Sequence, residues 1–155
     1  MYKLKLIDNL ESDIQEVLAE LHTLTFFDTA PVYDFSAGWW WLAYANNDTK
    51  EEVGFCGLTK GRTINTGYLC RSGVLPKHRG YGLQRRMIRV RERFSKKLGF
   101  TRLVTDTLDN IQSSNNLIKS GYLMYTPEIP WGLAEAAYWQ KDLVQKQNEY
   151  ILFRP

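Results

Sequence analysis

The sequence predicts an α/β (α+β) fold, in which helices flank a mixed, mainly antiparallel central sheet of six to seven strands. In the first half of the chain, segments of alternating polar and apolar residues are joined by short turns, which is typical of antiparallel hairpins. In the second half, β-like segments alternate with amphipathic helices, which is typical of a mixed sheet covered by helices. Because the 155 residues contain no repeat, low-complexity tract or linker, residues 1–155 are predicted to form a single domain.

The first half supplies one predicted helix and four predicted strands. Ser12 and Gln15 have the spacing of a capping box, which predicts the start of a helix. Its apolar row is Ile14, Val17, Leu18, Leu21 and Leu24. The segment Phe26–Gly38 is irregular and is predicted to form a loop or a short helix. The predicted strands are Tyr2–Ile7, Trp39–Ala45, Glu52–Thr59 and Tyr68–Leu75.

The clearest predicted helix lies in the second half. Its apolar residues, spaced by three or four, are Leu83, Met87, Val90, Phe94 and Leu98. Gly99 fits the C-terminal cap of this helix. The segment Ser113–Ser120, closed by Gly121, predicts a further helix. The remaining predicted strands are Arg102–Thr107, Tyr122–Tyr125 and Ala136–Leu143.

Charge is distributed unevenly along the chain, whose net charge is +3. The segment from Lys77 to Arg102 holds ten Lys or Arg residues and one acid, Glu92, so it carries +9 while the other positions carry −6. This basic segment is suited to an anion, although a solvated basic helix face is the alternative interpretation.

The composition argues against several classes of protein. No apolar run approaches the roughly 20 residues that span a bilayer, so no membrane partner is expected. The alternating N-terminus MYKLKLID predicts no signal peptide. Cys56 and Cys70 lack the spacing and the nearby histidine of a metal site, so no metal is predicted. Both cysteines are expected to pack as small apolar residues in a reducing cytoplasm.

The segment Val74–Gln84 carries the strongest functional signal. A strand ends at Pro76, Gly80 and Gly82 follow, and an amphipathic helix then starts. Glycines let backbone N–H groups converge, and the first turn of a helix leaves about four of them unpaired, so the segment is suited to a phosphate or pyrophosphate. Positive charges around it come from Lys77, Arg79, Arg85 and Arg86. A Walker loop and a dinucleotide fingerprint do not fit, because Gly-Lys-Ser/Thr and the third glycine are both absent.

The pattern V-x-P-x-x-R-G-x-G at residues 74–82, followed by a helix, resembles the acetyl-CoA-binding motif of the GNAT superfamily of N-acetyltransferases. Asn110-x-x-Ser113, with Gly121-Tyr122 eleven residues after the asparagine, resembles the helix that follows in that family. The resemblance covers residues from about Gly67 to Tyr125. It implies a GNAT-like fold, one N-acetyltransferase domain over residues 1–155 and acetyl-CoA as co-substrate.

The resemblance also implies roles for particular residues. Backbone groups of Val74 and Leu75 would hold the acetyl carbonyl and the pantetheine arm. Asn110 would hydrogen-bond the pantetheine or adenosine-side arm, and Ser113 would line the same groove. The residues whose amides would bind the pyrophosphate are Arg79, Gly80, Tyr81, Gly82, Leu83 and Gln84. The family usually has Gly or Ala in place of Gln84, whose side chain is therefore expected to point outward.

The residues for proton transfer depart from the family pattern. Leu117 stands where many members carry a tyrosine that protonates the leaving thiolate, and leucine cannot donate a proton. Tyr68 stands where some members carry a glutamate base, so it is a candidate catalytic residue that relays a proton through water, or else a core residue. Asp106 and Glu52 are further candidates for the base. His78 is expected to be exposed or to lie beside the phosphates.

The reaction that the resemblance implies is acyl-CoA-dependent N-acyl transfer, in which a primary amine attacks the thioester directly in a ternary complex. The acceptor is expected to be the amine of a small molecule, a peptide or an aminoacyl group. Asp28 and Asp34 are suited to a cationic amine. Candidate walls of the acceptor site are Phe26, Phe27, Tyr33, Trp39, Trp40, Trp41 and Trp131.

Other interpretations stay open. The basic segment can bind nucleic acid as a module of its own, or it can serve a family member that acetylates aminoacyl-tRNA. The chain can also bind acyl-CoA without catalysis, as the leucine at position 117 allows. The apolar run Tyr150–Phe153 can form an edge strand or a contact with a second copy in a homodimer.

Overall fold

The computed structural model of the chain describes residues 1–27, 30–31 and 33–144. In chain order these form strand β1 (Tyr2–Ile7), helix α1 (Ser12–Thr25), strands β2 (Trp39–Ala45), β3 (Glu52–Lys60) and β4 (Thr66–Val74), helix α2 (Leu83–Lys97), strand β5 (Arg102–Thr107), helix α3 (Ile111–Lys119), and strands β6 (Leu123–Tyr125) and β7 (Ala137–Asp142). The strand order is β1-β2-β3-β4-β5-β7-β6. The pairs β1–β2, β2–β3, β5–β7 and β6–β7 are antiparallel and β4–β5 is parallel, which confirms the predicted fold class.

One compact unit comprises Met1–Thr59 and Leu69–Met87. In it β1 pairs with β2, from Tyr2 opposite Ala45 to Ile7 opposite Trp40, and β2 forms a hairpin with β3. Its buried apolar residues include Leu18, Leu21, Phe35, Trp40, Trp41, Leu42, Val53, Phe55 and Leu58. Strands β2 and β3 bury consecutive residues, so both of their faces are covered.

A second compact unit comprises Lys60–Tyr68 and Ile88–Pro155, of which residues up to 144 are described. In it the first three residues of β4, Thr66–Tyr68, pair in parallel with β5. Strand β7 lies between β5 and β6 and pairs antiparallel with both. Its buried apolar residues include Phe100, Leu103, Leu117, Tyr122, Tyr138, Trp139 and Leu143.

The predicted capping box at the start of α1 does not form. The helix begins at Ser12 itself, so the cap residue is Glu11, whose side chain makes no capping hydrogen bond. Gln15 Nε2 donates instead to the carbonyl of Asn9 at 2.7 Å. The spacing of Ser12 and Gln15 indicated the helix start, but whether these side chains form a capping box depends on where the preceding chain enters the helix.

Helix α2 buries a different row of residues from the predicted one. Leu83 and Met87 are buried as expected, but Leu98 is 39% exposed, and the buried row continues through Arg91 and Ser95. Steps of four from Leu83 trace a ridge inclined to the helix axis, whereas the prediction assumed a stripe almost parallel to it. Apolar spacing therefore located the helix but not the buried face of its last turns.

Several other expectations can be compared with the structure. The described part of Phe26–Gly38 contains no helix or strand. Cys56 and Cys70 are buried thiols that are not joined in a disulfide, as predicted. Within the described ranges, no helix is long and apolar enough to cross a membrane. The run Tyr150–Phe153 lies outside the described residues.

Candidate active site

The loop between β4 and α2 has an open surface above its backbone. A 3₁₀ turn over Pro76–His78 follows β4, and Gly80 and Gly82 then adopt φ angles of 85° and 79°. Only glycine adopts this left-handed region without strain. Apart from the glycine itself and its two chain neighbours, no described residue has an atom within 4 Å of where a Cβ would stand on either glycine. Glycine is therefore favoured at both positions by the backbone conformation, and the packing of neighbouring residues does not require it.

The backbone N–H groups around the start of α2 differ in use, and the Arg79 amide, which was predicted to bind the pyrophosphate, already donates to Pro76 O at 3.3 Å. Arg86 N–H makes the first helical bond, to Gly82 O at 3.2 Å. In the part of the chain that the structure describes, the amides of residues 80–85 donate to no backbone carbonyl or side chain. Consecutive free amides at the positive end of a helix dipole form a binding site for phosphate oxygens.

Two arginines are fixed beside the loop by backbone carbonyls. Arg79 Nε donates to Val74 O at 3.0 Å, and Arg86 Nη2 donates to Tyr2 O at 2.9 Å. Each bond uses one of the five N–H donors of a guanidinium, so both side chains keep donors for an anion. Lys77 is exposed and Arg85 is half-buried. The positive charge predicted around this segment is therefore present, and two of its four cationic side chains are held by hydrogen bonds to the backbone.

The end of β4 offers one backbone donor on its other edge. Leu75 N–H donates to Val53 O on β3 at 2.8 Å, and Leu75 O accepts from His78 N–H at 2.9 Å. Successive amides of a strand point to opposite edges, so Val74 N–H points away from β3. Of the two residues predicted to hold the acetyl carbonyl and the pantetheine arm, Leu75 therefore has an amide that is already hydrogen-bonded inside the protein. The amide of Val74 faces away from β3.

The side chains of the loop take several different positions. His78 is half-buried, with Nδ1 3.0 Å from Tyr2 Oη, so of its two expected positions the exposed one is ruled out and the one beside the phosphates stays a prediction. Gln84 was expected to point outward, but its Oε1 accepts a hydrogen bond from Ser72 Oγ at 2.9 Å, which holds the amide against β4. Tyr81 is 59% exposed and Leu83 is buried. These four side chains shape or support the loop and leave its backbone surface clear.

Asn110 and Ser113 lie in the second unit, where they start α3. Asn110 is the N-cap, and its Oδ1 accepts from Ser113 N–H at 2.9 Å. The spacing that resembles a family motif therefore has a local structural cause, since an Asn cap bonds to the third residue of its helix. The Asn110 side chain keeps its Nδ2 group for other partners.

Tyr68 and Asp106, two of the candidates for proton transfer, are brought together in the second unit. Tyr68 Oη donates to Asp106 Oδ1 at 2.8 Å, and both side chains are half-buried. The Trp131 ring meets Tyr68 edge-on, with centroids 5.2 Å apart. A Cβ on Gly132 would lie 3.0 Å from Asp106 Oδ2, so glycine there leaves room beside the carboxylate. Glu52, on β3, lies in the other unit.

The Gly121-Tyr122 pair and Leu117 have structural surroundings. Tyr122 is buried, and its hydroxyl donates to Glu92 Oε1 at 2.9 Å. Lys141 Nζ lies 3.1 Å from the same carboxylate oxygen. Burial, followed by the negative charge of Glu92, raises the pKa of Tyr122 far above its ordinary value, so its hydroxyl stays protonated. Leu117 is 5% exposed and packs in the core.

The aromatic residues predicted to line the acceptor site are divided among different surroundings. Trp40 and Trp41 are buried in the core, which leaves them unable to reach a ligand. Phe26 and Tyr33 are half-buried and both lie against the guanidinium of Arg71. Phe27 is 50% exposed, Trp39 is half-buried and Trp131 lies beside Tyr68.

Of the two acids expected to attract a cationic amine, only Asp34 lies within the described residues. Asp34 is exposed, and its Oδ1 accepts from both the amide and the hydroxyl of Ser36, which hold the pKa of this carboxyl below its usual value. Asp28 lies outside the described residues. Sequence reasoning missed Arg71, although it is the single charged residue of its strand, which was a signal. No cluster of His, Cys, Asp and Glu able to hold a metal ion occurs among the residues described.

Comparison with known proteins agrees with this geometry. The family model described as Acetyltransferase (GNAT) family matches residues 7–122, well over half of the chain. None of the curated proteins is detectably similar in sequence. Among solved structures, an acetyltransferase from Bacillus subtilis in complex with CoA has a TM-score of 0.72 at 17% identity, over 93% of this chain and 100% of its own.

Two further structures have the same fold. The ribosomal-protein-S18-alanine N-acetyltransferase from Escherichia coli has a TM-score of 0.67 at 13% identity, over 92% of this chain and 94% of its own. An acetyltransferase of GNAT family from Staphylococcus aureus has a TM-score of 0.73 at 16% identity, over 93% of this chain and 100% of its own. At these identities the likeness shows the fold, and the family model supplies the membership. The chain belongs to the GNAT family of acetyltransferases.

Proposed function

We propose that this chain is a single-domain N-acetyltransferase over residues 1–155, which moves an acetyl group from acetyl-CoA to a primary amine by direct attack in a ternary complex. The observation that carries the proposal is the row of unpaired amides at residues 80–85, above two left-handed glycines with open space over them. Such a row fits a pyrophosphate, the anionic group that joins the pantetheine arm of CoA to its adenosine.

The donor half of the site follows from residues of the first unit. The amides of residues 80–85 and the free donors of Arg79 and Arg86 bind the pyrophosphate. Acetyl-CoA supplies a thioester carbonyl as the electrophile. Val74 N–H, which points away from β3, donates to the carbonyl oxygen and stabilises the negative charge that develops there during attack. Removal of one such donor typically slows an acyl transfer by about 100-fold or more.

The acceptor half depends on Tyr68 and Asp106. An amine reaches the enzyme as an ammonium ion and must lose one proton before it attacks. Asp106 accepts that proton, either directly at Oδ2 or through the hydroxyl of Tyr68, which is hydrogen-bonded to Oδ1. A thiolate is a good leaving group, so the C–S bond breaks with Leu117 in place of an acid. The nitrogen then loses its second proton, which passes through water to the thiolate and gives the thiol.

The acceptor class is a primary amine on a small molecule or peptide. The Escherichia coli structural neighbour carries a name that states acetylation of a protein alanine, which supports the peptide alternative. An aminoacyl-tRNA acceptor is a further alternative, supported by the exposed basic side chains of α2, which are Arg89, Arg93, Lys96 and Lys97. A silent acyl-CoA-binding protein is the other alternative, supported by the burial of Leu117 where a catalytic tyrosine would stand.

The proposal is tested by combining ligand binding with turnover. Acetyl-CoA or desulfo-CoA at a hundredfold its dissociation constant should raise the free energy of unfolding by about 2.7 kcal/mol, and thiol release should follow when a panel of primary amines is added. No stabilisation by any CoA species would contradict the proposal. Stabilisation without thiol release across the panel would favour the silent binder.

The acid–base assignment is tested by substitution. Asp106→Asn should lower kcat by about 100-fold while the dissociation constant of acetyl-CoA stays within about twofold, because general base catalysis contributes about 10²–10⁴ in rate. Tyr68→Phe should have a smaller effect than Asp106→Asn. Asp142→Asn is the matched control, since that carboxylate is exposed and pairs with Arg102. Equal kcat values for Asp106→Asn and Asp142→Asn would refute the assignment.

A further inference from the structure

Arg71 lies on β4 between two aromatic rings. Its guanidinium carbon is 5.0 Å from the ring centroid of Phe26 and 5.3 Å from that of Tyr33. All three side chains are half-buried. Two cation–π contacts fix the plane and position of the guanidinium, so it is already ordered before any ligand arrives.

The charge of Arg71 has no anionic partner among residues 1–27, 30–31 and 33–144. None of the carboxylates in these residues forms an ion pair with the Arg71 guanidinium, and the guanidinium N–H groups make no hydrogen bond to these residues. Besides Tyr33, a titratable ring affected by this charge is His22, which is buried and stacked on Phe26 with ring centroids 4.4 Å apart. Burial, followed by the charge of Arg71, lowers the pKa of His22, so this neighbour is neutral at pH 7 and leaves the guanidinium as the local charge.

A partly buried guanidinium is costly when its charge is unpaired, and its planar fork matches a carboxylate. The position along the strand adds a distance. Arg71 precedes Val74 by three residues, which corresponds to roughly 10 Å of extended strand. Val74 N–H is the proposed donor to the thioester carbonyl. An acceptor whose anionic group is bound by Arg71 therefore reaches the thioester when its amine lies within about that distance of the anionic group.

We propose that Arg71, with Phe26 and Tyr33, is a subsite that selects acceptors carrying a carboxylate, namely small amino acids whose amine and carboxylate are at most about 10 Å apart. This inference rests on the proposed function. The guanidinium binds the carboxylate through paired N–H donors, and the two rings contact the aliphatic part of the acceptor. An amine without the carboxylate loses these contacts and leaves Arg71 unpaired.

Calorimetric titration of the CoA-saturated protein tests this subsite without requiring turnover. The probes are 4-aminobutanoate and 6-aminohexanoate, each compared with its own primary amide, and trialanine compared with trialaninamide. Hydrogen bonds to charged groups predict that the two small carboxylates bind about 10- to 100-fold more tightly than their amides. Preference for the carboxylate of trialanine alone would overturn the small-molecule assignment.

Variants of Arg71 separate this role from a general effect of charge. Arg71→Gln should remove the preference for carboxylates while the affinities of the two small amides stay within about twofold. Arg71→Lys should keep the charge but reduce the preference, because it lacks the planar fork. Arg62→Gln removes an equal charge from an exposed position between β3 and β4 and should keep the full preference. If Arg71→Gln fails to fold by circular dichroism, Arg71→Lys decides the question.

The outcomes distinguish this inference from the proposed function. Equal affinity of the wild-type protein for each small carboxylate and its amide, or no binding of either carboxylate, would overturn the subsite alone. Retention of the preference in Arg71→Lys at the wild-type level would also overturn it. Failure of acetyl-CoA itself to bind would overturn the proposed function, and it is seen in the separate titration that saturates the protein.

Discussion

Helices α2 and α3 begin in opposite ways. At α3, Asn110 caps the helix: its side chain accepts from Ser113 N–H, and its carbonyl accepts from Ser114 N–H. At α2, the amides of residues 80–85 have no such partner within the described ranges. Gly80 and Gly82, which precede the helix, have left-handed φ angles. One helix start is closed by its own side chain, and the other is left open.

The difference predicts that the start of α2, rather than the start of α3, is available to bind an anionic ligand. Unpaired amides at a helix start are compensated by water or by a bound anion, so an open end can exchange one for the other at little cost. A capped end has fewer donors left, since the Asn110 oxygen already occupies the Ser113 amide. The family resemblance implies a role in acetyl-CoA binding for both segments, and from the hydrogen bonds we expect the start of α2 to contribute more binding energy than the start of α3.

The largest expected effect comes from filling the open end of α2. Gly82→Glu would place a carboxylate where the phosphates are proposed to lie and would also strain a backbone with φ of 79°. We expect acetyl-CoA affinity, measured by calorimetry, to fall by more than about 100-fold, which corresponds to about 2.7 kcal/mol.

Gly99→Glu is the matched control for this substitution. Gly99 has φ of 84° and equally open space around its Cβ position, but it follows the other end of α2. Both variants should lose a similar free energy of unfolding, on the order of 1–2 kcal/mol from the left-handed backbone. If Gly99→Glu weakened acetyl-CoA binding as much as Gly82→Glu, the open end would not be the binding site.

An intermediate effect is expected from Arg79. Its Nε bond to Val74 O ties the loop to the end of β4, and its other donors are available to a phosphate. Arg79→Gln should weaken acetyl-CoA binding by about tenfold, since a hydrogen bond to a charged group contributes about 1.5–3 kcal/mol. Arg93→Gln, at an exposed position of α2, controls for the loss of one positive charge. Equal losses in the two variants would mean that only general charge matters.

The smallest effect on binding is expected at the closed end. Asn110→Ala removes the cap of α3 and should lower the free energy of unfolding by about 1 kcal/mol, as for other N-caps. Acetyl-CoA affinity should change by less than about threefold because the Asn110 oxygen is already used within the helix. Chemical denaturation measures the first quantity and calorimetry the second. A tenfold loss of affinity would show that Asn110 contacts the ligand and would weaken the contrast between the two helix starts.

Local patterns predicted most of the elements. Period-two alternation located β1, and the aromatic run at Trp39–Ala45 and its hairpin partner matched β2 and β3 closely, because strand formation follows side-chain alternation. The capping box at Ser12 and the buried face of α2 were wrong, because both depend on how neighbouring chain segments approach the helix. A repeating pattern indicates which residues can form an element, and packing decides where it starts and which side is covered.

The residues of the candidate site divide in the same way. The loop at residues 74–84 could be predicted because its requirements are local: glycine for positive φ, and helix geometry for free amides. The Tyr68–Asp106 contact joins residues 38 positions apart, and no spacing in the sequence predicts it. Arg71 with Phe26 and Tyr33 likewise depends on how a loop lies against β4.

The sequence by itself determined the family, the order of elements and the open helix start, since each depends on residues that are neighbours along the chain. Only the tertiary structure decided which donors of the loop are already used, as the Leu75 amide is by Val53 O. It also decided that Tyr68 meets a carboxylate and that the guanidinium of Arg71 lies between two rings. A hydrogen bond or a charge acts over a few ångströms, and distances of that size between distant residues are fixed only when the chain is folded.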